Sequence, residues 1–171
     1  MKEQIGDTLW IRALQDIEYC EERIEKNNCK GDGWLWRMLD TATTLSPDFR
    51  IIYATGAIAL SVIISDISGA TKLFDKAVTH FPNDWPILYR AAYHAILEEN
   101  DKAKGAKLLI ACAQSGGPSW VPGLAGKLYA ESGHIELAEN LIRDLEAEQA
   151  PQMMIDRIKR RIAEVKSGKK F

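Results

Sequence analysis

The chain has 171 residues, a formal net charge of −2, and a composition that is 46% hydrophobic and 27% charged. This length suits one domain with a substantial core, and the near-neutral charge argues against nucleic acid as a partner. The longest strongly apolar stretch, residues 51–64, is too short to span a bilayer. The first ten residues lack the apolar run of a signal peptide, so we expect a cytoplasmic protein, with export left open if a signal has been removed.

The apolar pattern is helical along the whole chain, and no segment alternates as a strand does. A first helix is predicted from about Asp7 to Lys26, followed by a turn at 27–33 and a second helix at about 34–45. Pro47 ends the second helix, because the residue before a proline disfavours the helical backbone.

Further along the chain, helical segments alternate with short turns at 65–66, 100–101 and 132–134. Asp84 and Ser119 are predicted N-caps of the helices that follow them. The last segment has an apolar stripe and a charged opposite side, which is what a terminal capping helix needs. The predicted hairpins span about 7–47, 48–82, 84–118 and 119–150, followed by a capping helix at 151–166 and a short basic tail at 167–171.

Four prolines close these hairpins, at Pro47, Pro82, Pro118 and Pro151, with spacings of 35, 36 and 33 residues. Small or apolar residues recur at the same distances before the first three of them, and shifted by one residue before Pro151. A period near 34 residues with a closing proline is typical of helical-hairpin repeats.

The residues that carry this pattern best lie in the fourth hairpin: Gly126, Tyr129, Gly133 and Ala138. With them, residues 34–151 resemble the tetratricopeptide repeat family. The resemblance implies one all-α domain, a right-handed superhelical solenoid of antiparallel helix hairpins. It also implies a surface that holds other proteins, so we expect a non-enzymatic adaptor or scaffold.

In that family the first helix of each hairpin lines a concave face. Carried over by position, the resemblance implies a wall of cations and aromatics, which suits a protein or peptide partner with carboxylates. The residues that one variant of the fold uses to clamp a C-terminal carboxylate are not reproduced. The alternative is a set of solvated positions that pair among themselves. The predicted partner-binding residues are Arg50, Tyr53, Arg90, His94, Glu98, Trp120, Lys127 and Glu131.

No catalytic residue, metal site or cofactor is predicted. The three histidines are explained structurally, because no metal-binding spacing accompanies them. Cys112 lies among apolar residues and is expected to be a buried hydrophobe. Cys20 and Cys29 are nine residues apart across a polar stretch, and we expect them to remain unpaired.

The C-terminal segment 157–170 carries seven cations and one acid, whereas residues 1–27 carry seven carboxylates and four cations. The basic segment is open to three interpretations: a solvated cap, an anchor for an acidic partner, or a weak lipid or nucleic-acid contact. Opposite charges at the two ends leave a weak head-to-tail homo-oligomer open. The alternative to an adaptor is a structural subunit or assembly chaperone of a larger complex, and an enzyme on a helical fold is more remote.

Overall fold

The computed structural model describes residues 2–22 and 29–171, and this part of the chain is helical without any strand. The all-α prediction is therefore confirmed. Among the described residues, no helix is both long and apolar enough to cross a membrane. The chain divides into two compact units, an N-terminal unit of residues 1–82 and a C-terminal unit of residues 83–171. The prediction of a single domain stays a prediction.

The N-terminal unit is built from three α-helices and an intervening π-helical stretch. Helix α1 packs against α2 and against the second π-helical segment, and α3 packs against α2 and both π segments. The predicted first helix continued to Lys26, and residues 23–28 of that prediction lie outside the described part of the chain. The elements are α1 Lys2–Glu22, α2 Trp34–Leu45, π1 Ile52–Gly56, π2 Ala59–Ile64 and α3 Ile67–His80.

The stretch between α2 and α3 is wound differently from the α-helix that the sequence predicts. Its hydrogen bonds follow the wider π pattern in π1 and π2, with only short α-helical turns between them. Five isoleucines, a valine and Gly56 crowd this stretch, and β-branched residues and glycine are weak α-helix formers. It ends at Ser65, whose φ of 58° is left-handed, and Asp66 caps α3 by accepting the N–H of Gly69 at 3.1 Å.

A disulfide joins Cys20 and Cys29, with 6.0 Å between their Cα atoms. The expectation that these cysteines remain unpaired is therefore wrong. Both are almost fully buried, so the bond ties the end of α1 to the segment preceding α2 inside the unit. Sequence spacing alone did not reveal this, because two cysteines nine residues apart can be paired or free.

The C-terminal unit contains α4 Trp85–Leu97, α5 Lys102–Gln114, α6 Val121–Glu131, α7 Ile135–Ala147 and α8 Gln152–Lys166. Each of these helices packs against the next, and α6 also packs against α8. The order of the helices along the chain matches the prediction, whereas the solenoid of hairpins with a capping helix stays a prediction.

The predicted turns and one predicted cap of this unit are confirmed. Asn100 and Gly133 both have positive φ, at 54° and 82°, where the chain reverses between helices. Asp84 caps α4 by accepting the N–H of Ile87 at 3.2 Å. The predicted cap Ser119 is wrong, because Trp120 occupies the N-cap position of α6 and no side chain caps that end.

The apolar stripe of α8 is buried, as its pattern predicts. Ile155, Ile158 and Ile162 pack in one cluster with Ala138 and Ile142 of α7. Gly126 of α6 faces the same stripe, since a Cβ there would lie 2.6 Å from Cδ1 of Ile158. A glycine at this point therefore lets α6 and α8 approach closely.

Candidate interaction groove

The two predicted site residues of the N-terminal unit have different environments. Arg50 is exposed, whereas Tyr53 is fully buried beside His80 and Phe81, with ring centroids 5.7 and 5.4 Å away. The Tyr53 hydroxyl donates to the carbonyl of Thr43 at 3.2 Å, and burial raises its pKa. Tyr53 is thus a core residue, and the prediction that it contacts a partner is wrong for this conformation.

In the C-terminal unit, His94 is only 4% exposed and also belongs to the interior. Its Nε2 lies 3.6 Å from Oε1 of Glu99, which in turn is 2.9 Å from Nζ of Lys104. Glu98, the neighbour that the alternative interpretation paired with His94, is exposed, as is Arg90. His94 therefore supports the junction of α4 and α5, and its predicted role on an open wall is wrong.

Glu131 joins three helices. Its carboxylate lies 3.0 Å from Nζ of Lys102 on α5 and 3.4 Å from Nε of Arg161 on α8. The Glu131 side chain is about nine-tenths buried. It acts as a structural partner for two cations, which leaves little of its charge for a ligand.

Trp120 and Lys127 are brought together, because both line a groove between α6 and α8. We call this the terminal groove; its volume is about 430 Å³. Trp120 begins α6 and Lys127 follows two turns later on the same side of the helix. The groove is lined by Trp120, Gly123, Leu124, Lys127, Pro151, Met153, Met154 and Arg157.

The floor of the terminal groove is apolar and its edges are open. Trp120 and Met153 are 48% and 65% exposed, which is unusual for side chains of this size. Gly123 lies on the floor, where a Cβ would approach Cγ of Met154 to 2.8 Å. The exposed ring and thioether can therefore cover an apolar side chain that enters between the helices.

The cations of the terminal groove differ from three of the other four cations of α8. Lys159, Arg161 and Lys166 are engaged by Glu146, by Glu131 and Glu164, and by Glu139 respectively, at 2.7 to 3.4 Å. The bond from Lys166 holds the pKa of Glu139 below its ordinary value.

Arg157 instead contacts Sδ of Met153 at 3.3 Å. In the part of the chain that the structure describes, neither Arg157 nor Lys127 forms an ion pair, and no carboxylate lines the groove. Two uncompensated cations over an apolar floor favour an anionic, partly apolar ligand.

An aromatic cluster continues from the groove onto α4. The Tyr89 ring meets the edge of Trp120 at a centroid distance of 6.0 Å, and Tyr93 lies 4.7 Å from Tyr89. A hydrogen bond with Tyr93, aided by desolvation, raises the pKa of Tyr89 to about 12. The sequence analysis did not predict the contact between Tyr89 and Trp120, because the two residues lie on different helices.

Met153 and Arg157 were also missed as site residues, because the basic segment was interpreted as a whole. Their i, i+4 spacing places them on one side of α8, next to the buried stripe. That spacing was the available signal.

A second cavity of about 540 Å³ lies in the same unit and shares Pro151 and Met154 with the terminal groove. The charged residues that line this cavity are acidic, Asp144 and Glu148, whereas those of the terminal groove are basic. None of the eight predicted site residues lines it, and it brings no exposed aromatic ring to its wall.

Among the described residues, no group of three or more histidine, cysteine, aspartate or glutamate side chains is arranged to hold a metal ion. Comparisons of the chain with protein-family models, with curated proteins and with solved structures gave no match.

Proposed function

We propose that this protein is a non-enzymatic adaptor that binds a protein or peptide segment through the terminal groove. The observation that carries the proposal is the meeting of an exposed tryptophan with two unpaired cations over an apolar floor. Such a groove suits a segment in which an apolar side chain lies beside carboxylates. Arg157 can bind a carboxylate with two parallel hydrogen bonds, and Lys127 adds a second positive charge.

The architecture that we infer is a solenoid of helix hairpins similar to tetratricopeptide repeats, with α8 as its cap. The repeat period of the prolines supports it, as do the packing of each C-terminal helix against the next and the extra contact of α6 with α8. In such an arrangement the first helices of successive hairpins form one continuous wall, to which Tyr89, Arg90 and Trp120 belong.

The alternative, a structural subunit or assembly chaperone, is favoured by one observation in the N-terminal unit. Helix α1 exposes several large apolar side chains: Ile5, Ile11, Leu14 and Tyr19. Exposed apolar side chains grouped on one helix mark interaction surfaces in soluble proteins. Ile11 and Leu14 lie three positions apart on one side of this helix, and a partner that covers them permanently would make the chain part of an assembly.

The disulfide indicates in which kind of compartment this adaptor works. The bond between Cys20 and Cys29 persists in an oxidising environment and is rare in a reducing cytosol. It therefore supports the exported alternative over the cytoplasmic expectation.

The proposed function is tested with two matched double variants. Trp120→Ala/Lys127→Ala removes the ring and one cation of the groove, and Trp85→Ala/Lys107→Ala removes an exposed ring and an exposed cation elsewhere in the same unit. A partner is captured from native lysate on the unaltered protein and identified by mass spectrometry. Its affinity is then measured for both variants, with circular dichroism confirming that they are folded.

We expect the groove variant to lose affinity by on the order of tenfold or more, because exposed aromatics and cations dominate binding energy at such sites. The control variant should bind as the unaltered protein does, and affinity should fall with added salt. Equal affinity of both variants would place the working surface elsewhere.

A further inference from the structure

The outer face of α1 carries a line of residues that we call the acidic stripe: Asp7, Ile11, Leu14 and Glu18. Their spacing of four, three and four residues places them on one side of the helix. All four are exposed, with Ile11 and Leu14 at 58% and 45%. Another side of α1 is buried and borders the stripe at Trp10. It contains Gly6, Trp10, Ala13, Asp16 and Cys20.

The stripe is negative as well as apolar. Arg12, the cation nearest to it in sequence, is held by Asp16 on the other side of the helix, with Nε 2.8 Å from Oδ2. Within the described residues, Asp7 and Glu18 form no ion pair. They are eleven positions apart, so about 16 Å of helix separates two carboxylates, with two apolar side chains between them.

The terminal groove has the complementary chemistry. It offers an apolar floor with two cations, Lys127 on α6 and Arg157 on α8, whereas the stripe offers apolar side chains between two carboxylates. None of these four charged groups forms an ion pair with a residue in the ranges 2–22 and 29–171. The groove contains no carboxylate and the stripe no cation, so neither surface can satisfy its own charges.

We propose that the acidic stripe of one copy of the chain docks into the terminal groove of a second copy. The inference rests on the proposed function only in using the same groove as a binding surface. Each copy has one stripe and one groove, so the contact is heterologous and links copies head to tail. Self-association then competes with any acidic partner, and the groove becomes free for that partner as the protein is diluted.

A second copy fits better than another occupant because this chain itself presents the ligand that the groove chemistry requires. The contact is small and its charges are accessible to water, so association should be weak, reversible and sensitive to salt.

The first measurement is analytical ultracentrifugation of the unaltered protein over a hundredfold range of concentration. We expect the average mass to rise with concentration beyond that of one chain, and to rise less when salt is added. A constant mass of one chain up to millimolar protein overturns the proposal.

The decisive measurement uses two charge-reversed variants. The groove variant is Lys127→Glu/Arg157→Glu, and the stripe variant is Asp7→Lys/Glu18→Lys. Each variant alone faces like charges across the contact, and we expect self-association to weaken by on the order of tenfold or more.

When the two variants are mixed, opposite charges face each other again at both kinds of contact, and association should return. This recovery also shows that both variants are folded. A matched control, Lys107→Glu/Arg160→Glu, reverses two exposed cations of the C-terminal unit outside the groove and should associate as the unaltered protein does.

Mixed variants that remain monomeric while the unaltered protein associates would overturn the pairing of stripe with groove. If a charge variant does not fold, Ile11→Ser/Leu14→Ser replaces two exposed side chains and should also abolish association. Unchanged association of that variant would likewise overturn the proposal.

The two proposals fail separately. If the protein is monomeric but its Trp120→Ala/Lys127→Ala variant loses the captured partner, the adaptor function stands and self-docking is rejected. If association returns when the two charge-reversed variants are mixed, but the Trp120→Ala/Lys127→Ala variant binds the partner unchanged, self-docking stands and the groove is rejected as the adaptor site.

Discussion

The two compact units stabilise similar helices by different means. The C-terminal unit uses short turns, aspartate caps and small residues at helix contacts, such as Asp84, Asp101 and Gly126. The N-terminal unit adds a covalent bond and a cap that serves two segments. Its buried Asp66 accepts the N–H of Gly31 at 2.9 Å as well as that of Gly69, and a disulfide fixes the end of α1.

This difference has an energetic consequence. Local caps and turns act on one helix each, so the loss of one typically costs about 1 kcal/mol. A covalent link such as the disulfide restricts the unfolded chain as well as the folded one, and its loss costs more. We therefore expect the N-terminal unit to respond most strongly to the loss of a single bond, and the C-terminal unit to changes of packing.

The largest expected effect sharpens this contrast through the disulfide. Reduction, or Cys20→Ala/Cys29→Ala, should lower the free energy of unfolding by about 2–3 kcal/mol, because the bond closes a loop of about ten residues in the unfolded chain. Thermal unfolding with and without reductant measures the loss. Thiol counting by mass spectrometry should find one free cysteine, the buried Cys112, before reduction and three after it.

The matched control is Cys112→Ala, whose stability should still fall on addition of reductant. The double alanine variant should not respond to reductant at all. If reductant left the melting temperature of the unaltered protein unchanged, the disulfide would not stabilise this unit.

The same contrast explains what the sequence could predict. Turns at Asn100 and Gly133 and the cap Asp84 depend on a few neighbouring residues, and the pattern predicts them correctly. The disulfide depends on how the N-terminal unit folds, so no local pattern reports it. The weak α-helix formers between α2 and α3 are visible in the sequence, but their pattern alone does not specify a π-helical winding. The spacing of the closing prolines gives the repeat period but carries no information about the disulfide or the π-helical segments.

For the site residues, spacing along the sequence predicted side-chain placement well only where the helix is a regular α-helix. Trp120 and Lys127 lie on one side of a regular α-helix, so the spacing correctly placed them side by side, whereas their contact with a partner stays a prediction. Tyr53 lies in π1, where a wider turn changes the direction of each side chain, and it proved to be buried. Arg157 could be separated from Lys159, Arg161 and Lys166 only once their partners were known, and from Arg160 only by the lining of the groove.

Two glycines that occupy equivalent places in the repeat pattern provide the next test. At Gly126 a Cβ would lie 2.6 to 3.0 Å from three atoms of the buried Ile158, whereas at Gly56 the nearest atoms are methyls of Leu39 at 3.2 Å. Gly126→Ala should destabilise by about 1–3 kcal/mol through overpacking. Gly56→Ala should be near neutral, because a gain of up to about 1 kcal/mol in helix propensity offsets the tighter contact.

Chemical denaturation of both variants measures the difference, and a compensating change identifies its cause. Ile158→Val removes the atom that lies closest to the new Cβ, so Gly126→Ala/Ile158→Val should cost less than the two single changes together. If both glycine variants lowered the free energy of unfolding equally, the two glycines would be packed alike, which would contradict the difference between the units.

The smallest expected effect concerns two tyrosines, one in each unit, whose pKa values are raised for different reasons. Burial, the largest cause, raises the pKa of Tyr53, whereas the hydrogen bond with Tyr93 contributes most to raising that of Tyr89 to about 12. A raised pKa favours the neutral form, so each hydroxyl contributes stability that is fully present below the ordinary pKa of 10.0. That contribution is lost as the pH rises through the folded value.

Titration of tyrosinate absorbance, followed in parallel with helical circular dichroism, separates the two causes. Tyr93→Phe should lower the pKa of Tyr89 toward 10, since its main cause is removed, and leave helix content unchanged because the Tyr89 ring already contacts solvent. Tyr53 is fully buried, so its ionisation should coincide with loss of helix, and Tyr53→Phe should remove one tyrosine from that late step. If Tyr53 instead ionised before any helix was lost, its ring would have to be accessible to solvent, and Tyr53 would return to the surface where the repeat pattern first placed it.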